Sequence, residues 1–215
     1  MKRKKNFYIG ASFLILFVIW TIAVKYIDVK AIGPNATSVG FATVNGFVHK
    51  LTGVHMNLYI ITDRLSLIPI AFAIGFGATG LIQWIRRKKL FRVDYDILIL
   101  GCFYIAVMAA YILFEIVEVN YRPLLINGIV EVSYPSSTTM LVMCIMPTAV
   151  MQLKRRIKGE RLRILSVLLI EGYTAFMVIG RFISGVHWFS DIVGGALISS
   201  GLVMLYRAFI SLKHE

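Results

Sequence analysis

A chain of 215 residues with 58% hydrophobic and 16% charged residues, at a mean hydropathy of +0.78, is too apolar for an ordinary soluble domain and belongs in a membrane. The formal net charge of +12 would suit a nucleic-acid binder, but the basic residues sit in short clusters between apolar runs and form no nucleic-acid motif, so no such partner is expected. Two cysteines, Cys102 and Cys144, lie inside apolar runs with no histidine at ligand spacing, so they indicate neither a disulfide framework nor a zinc site and read as small core thiols.

Six segments approach the ~20 apolar residues that a membrane-crossing helix needs, at about 7–27, 65–85, 97–116, 137–153, 163–180 and 190–206. They predict an all-α fold, a six-span transmembrane helix bundle forming a single membrane domain over 1–215. The first run follows MKRKKN, and no small-residue cleavage site comes after it, so it is expected to stay as a span rather than leave as a signal peptide. The half-apolar outer loop between spans one and two, Asp28 to Arg64, is the longest connection. Within it Val39, Val44, Phe47, Val48 and Leu51 predict one face of a short helix on the membrane surface, either a lid over a site or simple packing on the bundle.

Charge sets the orientation, because cytoplasmic loops collect Lys and Arg near span ends. With the N-terminus inside, 17 of the 23 basic residues fall inside, among them Lys2–Lys5, Arg86–Lys89, Lys154–Arg156, Arg207 and Lys213. Lys25, Lys30, Lys50, Arg64, Arg122 and Arg181 fall outside or at outer span ends. This pattern predicts a multi-pass protein of a bacterial plasma membrane, with both termini cytoplasmic.

The same assignment brings Glu115, Arg122, the cluster Ser136, Ser137, Thr138 and Thr139, then Arg181, His187 and Asp191 to the outer ends of spans three to six. Ionisable groups at membrane depth cost about 2.5–3.5 kcal/mol each on insertion scales, so a set of them in one layer predicts a shared site. In GRFISGVHWFSDIVGG, His187 and Asp191 stand four apart. On a helix that spacing shares a face, where a carboxylate on one imidazole nitrogen leaves the other free as nucleophile or base. Arg181 supplies planar donors that suit phosphate. In SYPSSTTM, a proline and four hydroxyls open an apolar helix, and the free amides of such a terminus bind anions. Gly194 and Gly195 are expected to allow close helix packing. Glu171, in the middle of span five, is the one further ionisable candidate and would fit a solute transporter.

Arg122-Pro123, then Pro135-Ser136, then Arg181-x5-His187-x3-Asp191, in that order, resembles the type-2 phosphatidic-acid phosphatase superfamily. That family's pattern is K-x6-R-P, then P-S-G-H, then S-R-x5-H-x3-D. The resemblance runs from the third span to the sixth. It implies a lipid phosphatase working through a phosphohistidine at the outer face on a phosphorylated lipid substrate, without metal or cofactor. Carried over, His187 is the nucleophile, Asp191 its orienter, and Arg122, Ser136, Ser137, Arg181 and nearby amides the phosphate cradle.

Four positions depart from the pattern. Glu115 stands where the family has lysine, Ser137 replaces its glycine, Thr138 occupies the position of the general-acid histidine, and Gly180 replaces the serine before Arg181. The neighbouring hydroxyl of Thr139 has no assigned role. General acid help is worth about 10²–10⁴-fold, and threonine does not supply it near neutral pH. Three expectations follow. One is a phosphatase acting on a better leaving group, such as a polyprenyl diphosphate, or one in which Glu115 is the replacement acid. Another is a homologue that binds lipid phosphate without hydrolysing it. The third is a transporter built around Glu171.

Overall fold

The computed structural model describes residues 2–211, so the predicted cytoplasmic Lys213 lies outside the described residues. Those residues form eight α-helices: α1 Lys2–Tyr26, α2 Ala42–Thr52, α3 Met56–Leu65, α4 Leu67–Arg87, α5 Tyr95–Ile116, α6 Ser137–Arg156, α7 Glu160–Ile183 and α8 Phe189–Ile210. Among the described residues there is no strand, only isolated antiparallel bridges at Lys30–Val39, Tyr121–Val132 and Ile126–Ile129. Five stretches are long and apolar enough to cross a membrane: Arg3–Tyr26, Met56–Arg87, Tyr95–Ile116, Glu160–Ile183 and Phe189–Ile210. The protein is therefore a multi-pass membrane protein.

The predicted fourth span is the helix α6, but it is not one of these five. Its 20 residues include Ser137, Thr138, Thr139, Thr148 and Gln152, which lower its hydropathy. These polar groups do not meet lipid, because α6 lies inside the bundle against α4, α7 and α8. Thr148 and Gln152 are fully buried. Thr148 donates to the Cys144 carbonyl at 3.0 Å, and Gln152 Nε2 donates to the Tyr206 hydroxyl at 2.6 Å. A buried helix can keep such groups only when each finds a partner.

α8 is the central helix, packed along α1 on one side and α6 on the other. Small residues set these approaches. A Cβ at Gly201 would come within 2.7 Å of Leu14, and one at Gly194 within 2.7 Å of the Tyr134 ring. The Tyr134 side chain is held there by Phe17, stacked at 6.3 Å, and by a 2.7 Å hydrogen bond between its hydroxyl and that of Thr21.

The long connection after α1 differs from its expected form. α3 lies within it and runs almost directly into α4, separated by Ser66. The surface helix is α2, on which Val44, Phe47 and Leu51 are exposed. Val39 is not part of that face: it precedes α2, is fully buried, and its amide donates to the Lys30 carbonyl at 2.9 Å. The inner face of α2 carries Asn45, also fully buried, which donates to the Ser190 hydroxyl at 2.9 Å and accepts from the Ser190 amide at 3.1 Å. This connection is thereby fastened to the first turn of α8. Gly185 has φ +69° and passes so close to the Gly53 carbonyl that a Cβ there would lie 2.0 Å from it. The α7–α8 turn docks on the α2–α3 link at that point, with His55 N donating to the Ser184 carbonyl at 3.0 Å.

Candidate functional site

The C-terminal ends of α5 and α7 and the N-terminal ends of α6 and α8 meet at one end of the bundle. Between α5 and α6 the chain folds back on itself. Asn127 and Gly128 take positive φ, 51° and 78°, at the turn, the pairing typical of a two-residue Asn-Gly reversal. Arg122 N then donates to the Glu131 carbonyl, and Ser133 N to the Asn120 carbonyl, both at 2.9 Å. This register places the Arg122 and Glu131 side chains together, with Arg122 Nε 2.8 Å from Glu131 Oε2. The sequence reading missed Glu131, although Asn127-Gly128 between isoleucines is a hairpin signal.

His187 is 4% exposed and lies in the turn just ahead of α8, so it does not share a helical face with Asp191 as its spacing suggested. The two meet because Asp191, in the first turn, reaches backward: its Oδ2 accepts from the Trp188 amide at 3.0 Å and lies 3.6 Å from His187 Nδ1. An acid at the third position of a helix bonding back to the N-cap amide is a standard way to close that terminus. Nδ1 also faces the Ser133 carbonyl at 3.1 Å. A carbonyl only accepts, so Nδ1 carries the proton and Nε2 carries the lone pair. Nε2 points to Arg122, whose guanidinium donates to it at 3.3 Å and to the Val186 carbonyl at 3.4 Å. Burial first, then the charges of Arg122 and Arg181, push the imidazole well below its ordinary value of 6.5, so the ring is neutral.

Asp191 is fully buried. Asn120 Nδ2 and the Ser190 hydroxyl reach its Oδ1 at 3.4 Å each. Asn120, also missed by the sequence reading, connects outward as well: its Oδ1 accepts from Gly40 N at 3.0 Å.

Ser136 is the N-cap of α6, its hydroxyl accepting from the Thr139 amide at 3.5 Å and from the Thr139 hydroxyl at 3.0 Å. The next amides, of Ser137 and Thr138, belong to the first turn, where no intrahelical carbonyl is available. Gly195 lets α8 pass this turn, since a Cβ there would meet the Ser136 carbonyl at 3.0 Å.

A cavity of about 480 Å³ opens at this end, lined among others by Tyr111, Glu115, Arg122, Glu131, Ser137 and His187. Of the residues singled out from the sequence, Glu115, Arg122, Ser137 and His187 thus face one space. Ser136, Thr138, Thr139, Arg181 and Asp191 are buried and do not line it. Glu115 pairs with neither arginine; it interacts with the Tyr111 hydroxyl one turn back on α5. Arg181 packs against α3, its guanidinium over the Tyr59 ring at 4.9 Å, 3.5 Å from the Thr62 hydroxyl and 3.9 Å from Asp63. Its Nε is buried without a hydrogen-bond partner. Glu171 lies elsewhere, lining a groove between α6 and α7. Among the described residues no group of three or more His, Cys, Asp or Glu side chains is placed to hold a metal.

No sequence among curated proteins matches the chain. Among solved structures, the crystal structure described as the first transmembrane PAP2-type phosphatidylglycerolphosphate phosphatase, from Bacillus subtilis, is similar in fold, with a TM-score of 0.58 and 19% identity over 94% of each chain. The family model of the PAP2 superfamily matches residues 103–214, which span α6, α7, α8 and most of α5 together with the Arg122–Glu131 reversal and His187. By that match over more than half of its length, the chain belongs to the PAP2 superfamily.

Proposed function

We propose that the protein is a membrane lipid phosphatase that removes a phosphoryl group at the outer face of a bacterial plasma membrane through a covalent phosphohistidine at His187. One observation carries this reading. A neutral imidazole, its tautomer fixed on one side by Ser133 and Asp191, turns its lone pair into a cavity where a guanidinium already meets it. Neutrality matters because a protonated ring has no lone pair to offer. Arg122 and the free amides at the start of α6 hold the phosphate, and Arg181, with its unpaired Nε, adds positive charge. His187 Nε2 bonds to phosphorus as the bond to the lipid-side oxygen breaks. Water then cleaves the phosphorus–nitrogen bond, releasing inorganic phosphate and restoring the imidazole. The basic clusters at the opposite end of the bundle orient both termini and those clusters to the cytoplasm.

The leaving group follows from the second motif. Thr138 is 6% exposed and does not line the cavity, so its position supplies no acid. A lipid diphosphate, which expels a weakly basic lipid monophosphate, needs less protonation than an alkyl phosphate, which expels an alkoxide. The same buried threonine favours a second reading, a protein that binds lipid phosphate and does not hydrolyse it.

The test is phosphate release from purified protein over paired lipid monophosphates and diphosphates, with ³²P trapping on His187. The diphosphates are expected to turn over faster, and His187→Ala to lose about 10³-fold or more. Release that persists in His187→Ala overturns the phosphohistidine. Binding by both proteins without release from any lipid establishes the second reading instead.

A further inference from the structure

The cavity is lined by groups of both charge signs. Its lining includes the start of α6 at Ser137, the Arg122 guanidinium and His187. The last turn of α5 also lines it, with Glu115 one residue before that helix ends at Ile116. A helix N-terminus carries partial positive charge and a C-terminus partial negative charge, so an acid in a final turn is unfavourably placed unless a cation meets it. α5 has no basic residue in that turn. The charges of the cavity do not cancel either. Glu131 is spent on Arg122 at 2.8 Å, and the imidazole is neutral. Glu115 is exposed and makes no ion pair among the described residues, its contact being the Tyr111 hydroxyl. A bare phosphate dianion entering this space meets attraction from Arg122 and the start of α6 and repulsion from Glu115 and the end of α5.

We infer that the substrate carries a positive charge next to its phosphate, and that Glu115 with the end of α5 is the subsite that receives it. Two sources share this chemistry: an ammonium group on the lipid headgroup, or a divalent cation travelling with a diphosphate. In either, the phosphate turns to Arg122, Ser137 and His187 while the cation turns to Glu115 and the Tyr111 hydroxyl. Glu115 then acts as a selector between phosphorylated lipids rather than as a defect of the phosphate cradle. This inference rests on the proposed phosphate site but not on turnover there.

The test uses the full chain in detergent with two matched pairs: an alkyl monophosphate against its amine-bearing counterpart, and a lipid diphosphate with Mg²⁺ against the same lipid in EDTA. Thermal shift reads binding and phosphate release reads turnover. In the wild type the cation-bearing member of at least one pair is expected to bind at least tenfold more tightly. Which pair responds identifies the source. Glu115→Gln is expected to reduce that preference below twofold by improving binding of the cation-free member, and Glu115→Asp to keep it. Equal binding within both pairs, or a preference unchanged in Glu115→Gln, overturns the inference. Phosphate release through His187 with no cation preference sinks this inference alone. A cation preference in binding without release from any lipid sinks the phosphatase reading alone.

Discussion

Two acids on neighbouring hydrophobic helices have opposite fates. Asp191, at the start of α8, is fully buried and surrounded by donors: the Trp188 amide, Asn120, Ser190 and, at 3.6 Å, the His187 ring. Glu171, halfway along α7, is exposed and has no hydrogen bond or ion pair among the described residues. The helices differ in the same sense, with 50% of the apolar window of α8 buried inside the bundle against 11% for α7. Hydropathy alone does not separate them. What separates them is whether the fold supplies partners, and for Asp191 it does so where four helix termini and two connections converge.

The sharpest way to break this contrast is to remove the better-held acid. Asp191→Ala leaves the Trp188 amide without its acceptor and Asn120 with Ser190 alone, which costs about 1–3 kcal/mol of stability, and frees the imidazole from one of its two fixed neighbours. Phosphate release is expected to fall by about 10²–10⁴-fold, the scale seen when an orienting carboxylate is taken from a catalytic histidine. Asp191→Asn keeps an acceptor for the Trp188 amide and should recover most of the stability but little of the turnover. Turnover near the wild-type level in both variants would reduce Asp191 to a helix cap.

Glycines test the same contrast through packing. A Cβ at Gly194 on α8 would sit 2.7 Å from the Tyr134 ring, which is 1% exposed and held through Thr21, so the ring has nowhere to move. Gly194→Ala is expected to cost about 1–3 kcal/mol. Nothing lies within 4 Å of a Cβ at Gly172 on α7, and Gly172→Ala is expected to gain about 0.5–1 kcal/mol from helix propensity. Unfolding in mixed micelles measures both. Equal effects of the two changes would mean that α8 is not the more tightly packed helix.

A smaller effect concerns pH. His187 is held neutral in the folded state, mainly by burial, with a folded pKa well below the ordinary 6.5. Above about 6.5 both folded and unfolded chains carry the neutral ring, and the group adds no pH dependence. Below it the unfolded chain takes up a proton that the native ring refuses, so stability falls as the pH drops from 6.5 toward the folded pKa. His187→Gln should flatten that part of a melting-temperature profile while leaving the rest unchanged. A His187→Gln profile that falls below pH 6.5 as steeply as the wild type's would contradict the neutral ring.

The parts of this architecture that were readable in the sequence are those written in long periodic runs. Residues 97–116 and 190–206 predicted α5 at Tyr95–Ile116 and α8 at Phe189–Ile210 to within a few residues. The meeting of Arg122 with His187 followed once alternation put their span ends on one side. α3 was not readable, because Asp63 and Arg64 interrupt its hydropathy and Arg181 packs against it from a distant part of the chain. Nor was the register that gives Arg122 its carboxylate. Asn127-Gly128 announces a reversal, yet the bridges Ile126–Ile129 and Tyr121–Val132 do not follow one unbroken ladder, with Pro123, which lacks an amide donor, between them. The backward reach of Asp191 was missed for a related reason: spacing of four suggests one helical face, and only the chain path shows that α8 begins after His187.

The smallest expected effect is at Glu171, and it is the most informative about how far the site extends. This residue shares its groove with Met143, Pro147 and Thr174, and with Lys154 and Arg207. An ionisable residue at membrane depth is a functional candidate by default, and the transporter reading made it the centre of the molecule. If function is confined to the end where helix termini supply partners, Glu171→Gln should change phosphate release by less than about twofold, since an isosteric amide alters charge and little else. The same substitution should leave the melting profile of the His187 region unaltered, because no hydrogen bond or ion pair of the described residues is lost. A tenfold loss of turnover in Glu171→Gln would couple the middle of α7 to the site through Arg181, which lies ten residues further along the same helix. The contrast between the held and the unheld acid would then have to be redrawn as one connected system.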